Sequence, residues 1–283
     1  MDFSNFKFRC SSLGYIMADT KEKSNAEKYT EALESRVKKL DALSKCTEKA
    51  VKTREKLENE LYDLDLKIEE LEAIKDIPTL SDTCKTHLCD VYTSQKYNRR
   101  EDIKSKYLEK GLLMEEDAIT QYSLLTGAFH KKNGERREND YITGEMDFED
   151  ETYAIDTKVN WSIFQFTRTV AKPIKPLYHW QLDGYMWLWG KQKGKLVYAL
   201  LDTPEHLVVM EEKKLLYDFV GTEEDYKEAC AELRRNHTYS DIPLEEKIRT
   251  FEVEYDEERI GKLQQRVIAC RQFLQDLDNR VKQ

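Results

Sequence analysis

From Glu27 to Ile74 the chain contains neither glycine nor proline. A run of that length, rich in Glu, Lys and Leu, holds nothing that ends a helix, so any fold of this chain must house a long helical segment. Within it Leu57, Leu61, Leu64, Ile68, Leu71 and Ile74 recur at intervals of four and three, drawing one apolar stripe along a helix. Tyr29, Leu33, Val37, Leu40 and Leu43 form an earlier stripe spaced to pack against it. The pair predicts a helical hairpin bending near 44–50; a single long helix that joins copies of the chain fits the spacing equally. Pro78 and the polar "TLSDT" close the segment.

At 283 residues the chain is long enough for a sizeable core, and one domain with an elaboration is expected. Hydrophobic residues at 40% with 16 Tyr, 10 Phe and 4 Trp indicate a folded protein, while 36% charged residues require a large solvated surface. The net charge of -9 excludes a global attraction for nucleic acid and leaves room for local basic patches. The six cysteines, at 10, 46, 84, 89, 230 and 270, are widely and irregularly spaced and read as reduced thiols. Cys84 and Cys89 flank His87, but two further ligands at metal-binding spacing are missing. With no signal peptide and no membrane-length apolar run, a soluble intracellular protein is expected.

Beyond the long helical region, "FKFRCSSLGYIM" near the start reads as a short strand or turn entering a small helix. "SQKYNRREDIKSKYLEKG" is helical, breaks at Gly111 and resumes in "LLMEEDAITQYSLLTG", with Leu113, Ile119, Tyr122 and Leu125 inward and Gly127 as the cap. From Tyr141 the period changes. "YITGEMDF" and "ETYAIDTKVNW" read as two strands joined by the turn "EDET". A helix then starts just after Pro176 and ends at Gly190, "KLVYALLD" is an apolar strand, and the remainder is mainly helical and acidic, ending in an amphipathic helix. Helix, strand, strand, helix, strand is the order of a mixed α/β domain.

Eight carboxylates lie between Glu138 and Asp156 with no basic residue among them, and Lys158 follows two places later. In a strand Asp156 and Lys158 share a face, and a short turn brings Asp147 beside Asp156. Two converging carboxylates repel unless a proton or a cation relieves them, and a hard divalent ion with oxygen ligands does so. The bland reading is a solvated acidic turn, and Glu149, Asp150 and Glu151 fit it. Glu115 lies near the start of the second helix, where it caps or reaches the sheet edge. Gln181 and Tyr185, four apart, share a helix face as ordinary packing or as a polar pair. Trp161, Phe164 and Phe166 read first as core. Between 161 and 195 six basic residues, including Arg168, Lys172 and Lys175, face the single acid Asp183. Lys131, Lys132, Arg136 and Arg137 crowd the preceding turn; such clusters suit phosphate contacts, though most charge runs are simply solvated.

The ordered series "KGLLMEEDAI", "TGEMDF", "IDTKVN" and "HWQLDGYMW" resembles the PD-(D/E)xK nuclease superfamily, in the lambda-exonuclease/YqaJ-like branch of phage recombination exonucleases. The resemblance spans roughly 6–12 and 110–201. It implies an α/β, restriction-endonuclease-like core with a mixed sheet flanked by helices, carrying an N-terminal helical hairpin insertion. The domain reading is a single nuclease domain over 1–283, with an arm at 25–76, catalytic motifs at 110–201 and a helical C-terminal part at 211–283. It further implies that Glu115, Asp147 and Asp156 hold Mg2+, with Mn2+ a substitute, that Lys158 positions the attacking water, and that Gln181 and Tyr185 support the site. Asp156 stands where relatives often carry Glu. The activity implied is a DNA exonuclease acting on linear duplex ends, with a single-strand annealing protein, a homo-oligomer and a bacterial cytoplasm among the expectations. An endonuclease or single-strand nuclease of the same chemistry, or a non-catalytic interaction module, are the alternatives.

Overall fold

The computed structural model describes residues 1–47, 50–101 and 105–282. Strand β1 (Phe8–Arg9) leads through a 3-10 turn into α1 (Leu13–Ile16), and the breaker-free stretch folds as α2 (Asn25–Ser44) and α3 (Val51–Ile74). Ser24 and Glu27 close a capping box at the start of α2. The expected bend includes residues 48–49, which lie outside the described residues. α4 (Asp82–Tyr97) is capped by Ser81, so the polar segment that closes α3 also opens the next helix. It stops at Asn98, whose φ of 50° is left-handed, and this interrupts the helix expected through 94–111. Residues 102–104 of that expected helix lie outside the described residues.

α5 (Lys106–Leu113) and α6 (Glu115–Thr126) part at Met114 rather than at Gly111, which stays helical. One glycine costs a helix only about 1 kcal/mol, so packing decides where the chain turns. Ile119 and Tyr122 are buried as expected, whereas Leu113 is exposed. Strands β2 (Arg137–Glu138), β3 (Ile142–Gly144), β4 (Phe148–Glu149) and β5 (Tyr153–Asn160) follow, then α7 (Ile163–Val170), α8 (Pro176–Trp189) and β6 (Lys193–Leu200). Next come α9 (Glu205–Asp218), α10 (Glu223–Arg235), α11 (Leu244–Lys247), β7 (Ile248–Glu254) and α12 (Glu257–Lys282). β7 corrects the helical reading of the C-terminal part. Its alternation is weak, with Arg249, Glu252 and Glu254 outward, as befits an edge strand that pairs only with β6.

The chain divides into two compact units. The first comprises Met1–Phe6, Tyr15–Asn98 and Gly261–Gln283. In it, the α3 stripe packs on α2 as expected, with Leu61 and Leu71 buried, although Ile74 is exposed. The α2 stripe does not: Leu33, Val37 and Leu40 are exposed. Arg36 pairs with Asp65 at 2.5 Å and Lys39 with Glu60, so α2 meets α3 through long basic stems whose heads find carboxylates. Elsewhere in this unit Asp278, fully buried, accepts from Tyr92 at 3.0 Å and Lys96 at 2.9 Å and pairs with Lys282 at 2.5 Å. The six cysteines are free; Cys84 is buried with its sulfur 3.7 Å from that of Cys270, while Cys89 is exposed.

The second unit, Lys7–Gly14 and Arg99–Ile260, carries both sheets. One runs β1-β3-β2 and the other β4-β5-β6-β7, with β5 and β6 parallel and the outer pairs antiparallel. Ile155, Val197 and Ala199 turn toward Ala118, Ile119 and Tyr122 of α6, forming the core on one sheet face. Asp183 on α8 receives Arg259 at 2.9 and 2.6 Å. Among the described residues no helix is long and apolar enough to cross a membrane.

Lys110 ties α5 to the ends of two strands. Fully buried, it donates to the Trp161 carbonyl at 3.0 Å and to Thr203 Oγ1 at 2.9 Å. Burial pulls its ammonium down to about 7, with Asp202 opposing. Between that value and the unfolded 10.5 the unfolded chain holds a proton that the folded chain lacks, so stability climbs with pH across this window. Below about 7 the penalty is fully present. Urea midpoints at pH 7 and 9.5 should therefore rise more for the parent than for Lys110→Met, the difference approaching a slope of about 1.4 kcal/mol per pH unit.

Candidate active site

Strand β5 alternates. Ile155 enters the α6 core, while Asp156, Lys158 and Asn160 share the opposite face beside Leu196, Tyr198 and Leu200 of β6. Helix α8 supplies Gln181 and Tyr185 one turn apart. Its approach to β3 is close: a Cβ at Gly144 would lie 2.5 Å from Cys10 Sγ and 3.1 Å from Tyr185 Cε1, and one at Gly184 would lie 2.8 Å from the same sulfur.

The strand expected over 141–148 is split, because residues 145–147 leave the ladder between β3 and β4. Asn133 occupies the gap, its backbone N–H donating to Asp147 O at 2.6 Å and its Nδ2 to Met146 O at 3.1 Å. Phe148 pairs with Ile155, so Asp147 arrives next to Asp156 as expected. Asp147 Oδ2 accepts from both the N–H and the hydroxyl of Thr157, each at 2.6 Å. Glu115 opens α6 and pairs with Lys132 at 3.1 Å. Glu115, Asp147, Asp156, Lys158, Gln181 and Tyr185 line one cleft of about 540 Å³.

Asp156 is 1% exposed. Its Oδ1 accepts from Gln181 Nε2 at 3.0 Å, and the same nitrogen donates to the Tyr185 hydroxyl at 2.9 Å. Its Oδ2 lies 2.5 Å from Lys158 Nζ, a buried ion pair, and takes no other donor among the described residues. Burial pushes the Asp156 carboxyl up to about 7 against the pull of Lys158, and the Asp147 charge adds to the rise. Burial alone would lower Lys158; Asp156 and Asp147 outweigh it and hold the ammonium above the ordinary lysine value. Burial also keeps the Tyr185 hydroxyl protonated well above the tyrosine range.

Of the basic residues expected to meet phosphates, Lys175 lines the cleft. Lys132 is engaged by Glu115, Arg136 pairs with Glu145 at 3.1 Å, and Arg137 pairs with Glu135 at 2.9 Å and lies over the Trp189 ring. Lys131, Arg168 and Lys172 are exposed and do not line the cleft. Phe164 is exposed, whereas Trp161 and Phe166 are core. The expected solvated turn is partly structural, since Asp150 Oδ1 accepts from Thr152 and Tyr153 N–H groups. The sequence reading missed the grip of Thr157 on Asp147 and of Lys132 on Glu115. A hydroxyl between the acid and lysine of "DTK" was the one local signal; the Lys132 contact had none.

The fold is shared with two solved exonuclease structures. A phage related exonuclease from Haemophilus somnus 129PT matches with a TM-score of 0.63 at 24% identity, over 98% of this chain and 97% of that one. An alkaline exonuclease from Laribacter hongkongensis matches with a TM-score of 0.50 at 15% identity, over 74% of this chain and 88% of that one. No family model matches the chain, and comparison with curated proteins gives no match.

Thr157→Val should cost about 1.5–3 kcal/mol in urea denaturation, because it removes a hydroxyl donor from a carboxylate, while Thr157→Ser should retain most of that stability. Equal losses for the two variants would show that the hydroxyl contributes nothing.

Proposed function

We propose that the chain is a divalent-metal-dependent DNA exonuclease whose site is the cleft around Asp156. The observation that carries this reading is the buried Asp156 carboxylate, its Oδ2 paired with the Lys158 ammonium at 2.5 Å, with Asp147 and Glu115 lining the same cleft. The likeness in fold to structures described as phage related and alkaline exonucleases supports it.

The residues fit a hard cation. Such an ion, Mg2+ or its substitute Mn2+, keeps several waters and takes only one or two carboxylates from the protein. Asp147 and Asp156 would hold it, with Glu115 at the rim in exchange for Lys132. Among the described residues no three His, Cys, Asp or Glu side chains converge as a ready-made metal cage, so the fit is to a site completed by water and substrate oxygens. When bound, the ion polarises the phosphoryl oxygen and lowers the pKa of water. Gln181 sets the orientation of Asp156 and is itself fixed by Tyr185. Lys158 orients the attacking water and balances charge on the phosphate as the phosphorus–oxygen bond to the leaving 3′ oxygen breaks. Lys175 meets a neighbouring backbone phosphate.

The proposal takes linear duplex ends as substrate, a restriction-endonuclease-like core, and α2 and α3 as an arm inserted in it. A bacterial cytoplasm, a single-strand annealing partner and a homo-oligomer belong to the same reading. With Mg2+ and end-labelled DNA, the parent should shorten linear duplex and spare closed circles, and EDTA should stop it. Asp156→Ala should lower the rate at least about a hundredfold, whereas Glu151→Gln should stay within about twofold of the parent. Cutting of closed circles would make it an endonuclease, and no metal-dependent cleavage of any DNA would sink the reading.

A further inference from the structure

We propose that Asn160 is a substrate-binding residue whose side-chain amide donates to a phosphodiester oxygen beside the linkage being cut. This rests on the nuclease reading for its substrate and goes beyond it in naming a contact. Asn160 is the next residue after Lys158 on the cleft face of β5 and itself lines the cleft. Two residues along a strand span roughly 6.6 Å, about the separation of neighbouring phosphates in an extended nucleic-acid strand. A strand whose scissile phosphate sits against Asp156 and Lys158 thus brings an adjacent phosphate to Asn160.

The side chain is built for such a partner. Asn160 is 4% exposed, and its Nδ2 finds no hydrogen-bond partner among the described residues. A buried amide nitrogen left without an acceptor is uncommon in folded proteins and takes one from water or from a ligand; in a cleft that receives DNA, the backbone supplies it. Gln165 Oε1, which belongs to another residue lining the cleft, is committed elsewhere and accepts from the Trp161 N–H at 2.7 Å. Phosphodiester oxygens only accept, which matches an unused donor. A neutral amide also binds them without adding a cation that would compete with Lys158 for Asp156.

The test reads binding separately from cleavage. Dissociation constants for fluorescein-labelled duplex are measured by anisotropy in EDTA at fixed salt, for the parent, Asn160→Ala and Asn160→Asp. Asn160→Ala should bind roughly tenfold more weakly and Asn160→Asp more weakly still, as expected for a lost bond to a charged group and an added repulsion. Both losses should be equal on probes of two unrelated sequences, and in Mg2+ the rise should appear in KM with kcat within about twofold. Dissociation constants within twofold of the parent overturn the proposal, as does a loss confined to kcat or one that depends on base sequence. Should Asn160→Ala melt early, Asn160→Leu, which keeps much of the volume and has no donor, supplies the same comparison. If the parent cleaves nothing but the variants still lose DNA, the nuclease reading fails and the Asn160 contact stands. If the parent cleaves and the variants bind as it does, only the Asn160 contact fails.

Discussion

A carboxylate almost wholly out of water, Asp156, is the constraint around which the second unit is arranged. Taking such a charge into the interior is costly unless partners surround it, and a buried charge that loses one partner is worse off than one never buried. Its partners come from two elements: Lys158 from the same strand, and from α8 Gln181 with, through it, Tyr185 one helical turn on. Gly144 and Gly184 matter for the same reason, since both let neighbouring backbone approach Cys10 at distances no Cβ tolerates. Even so, Asp156 Oδ2 takes no donor besides Lys158 among the described residues. Asn160 Nδ2, in the same cleft, has no hydrogen-bond partner among them either.

The first unit solves a related problem differently. Asp278, equally buried, is met by Lys282, Lys96, the Met1 ammonium and Tyr92, which hold its carboxyl well below the usual carboxylate range. Four groups meet Asp278, whereas Asp156 is met by Lys158 and Gln181. The contrast separates the two buried acids better than burial does. The two helical stripes differ as well: α3 buries Leu61 and Leu71, while α2 reaches α3 through the half-exposed Arg36 and Lys39 and leaves Leu33, Val37 and Leu40 exposed.

Legibility in the sequence followed the range of the interaction. Helix α8 runs from Pro176 to its left-handed cap at Gly190, as read, because both signals are local. The same holds for β5 and β6. Gly111 misled because a single glycine is a weak breaker, and β7 was missed because an edge strand need not alternate. The α2 stripe misled for another reason: spacing shows that apolar residues align, and it does not show which of two adjacent faces meets the neighbour.

By itself the sequence determined that β5 is a strand and α8 a helix, and that Asp156 and Lys158 share a strand face and Gln181 and Tyr185 a helix face. These follow from backbone periods of two and 3.6 residues, which act within a few residues. Only the tertiary structure decided that the two faces meet, that Thr157 holds Asp147, that Lys132 holds Glu115, and that Asn160 shares the cleft with an idle amide. Each depends on which groups are brought together and which are shut off from water, and neither is encoded in local spacing.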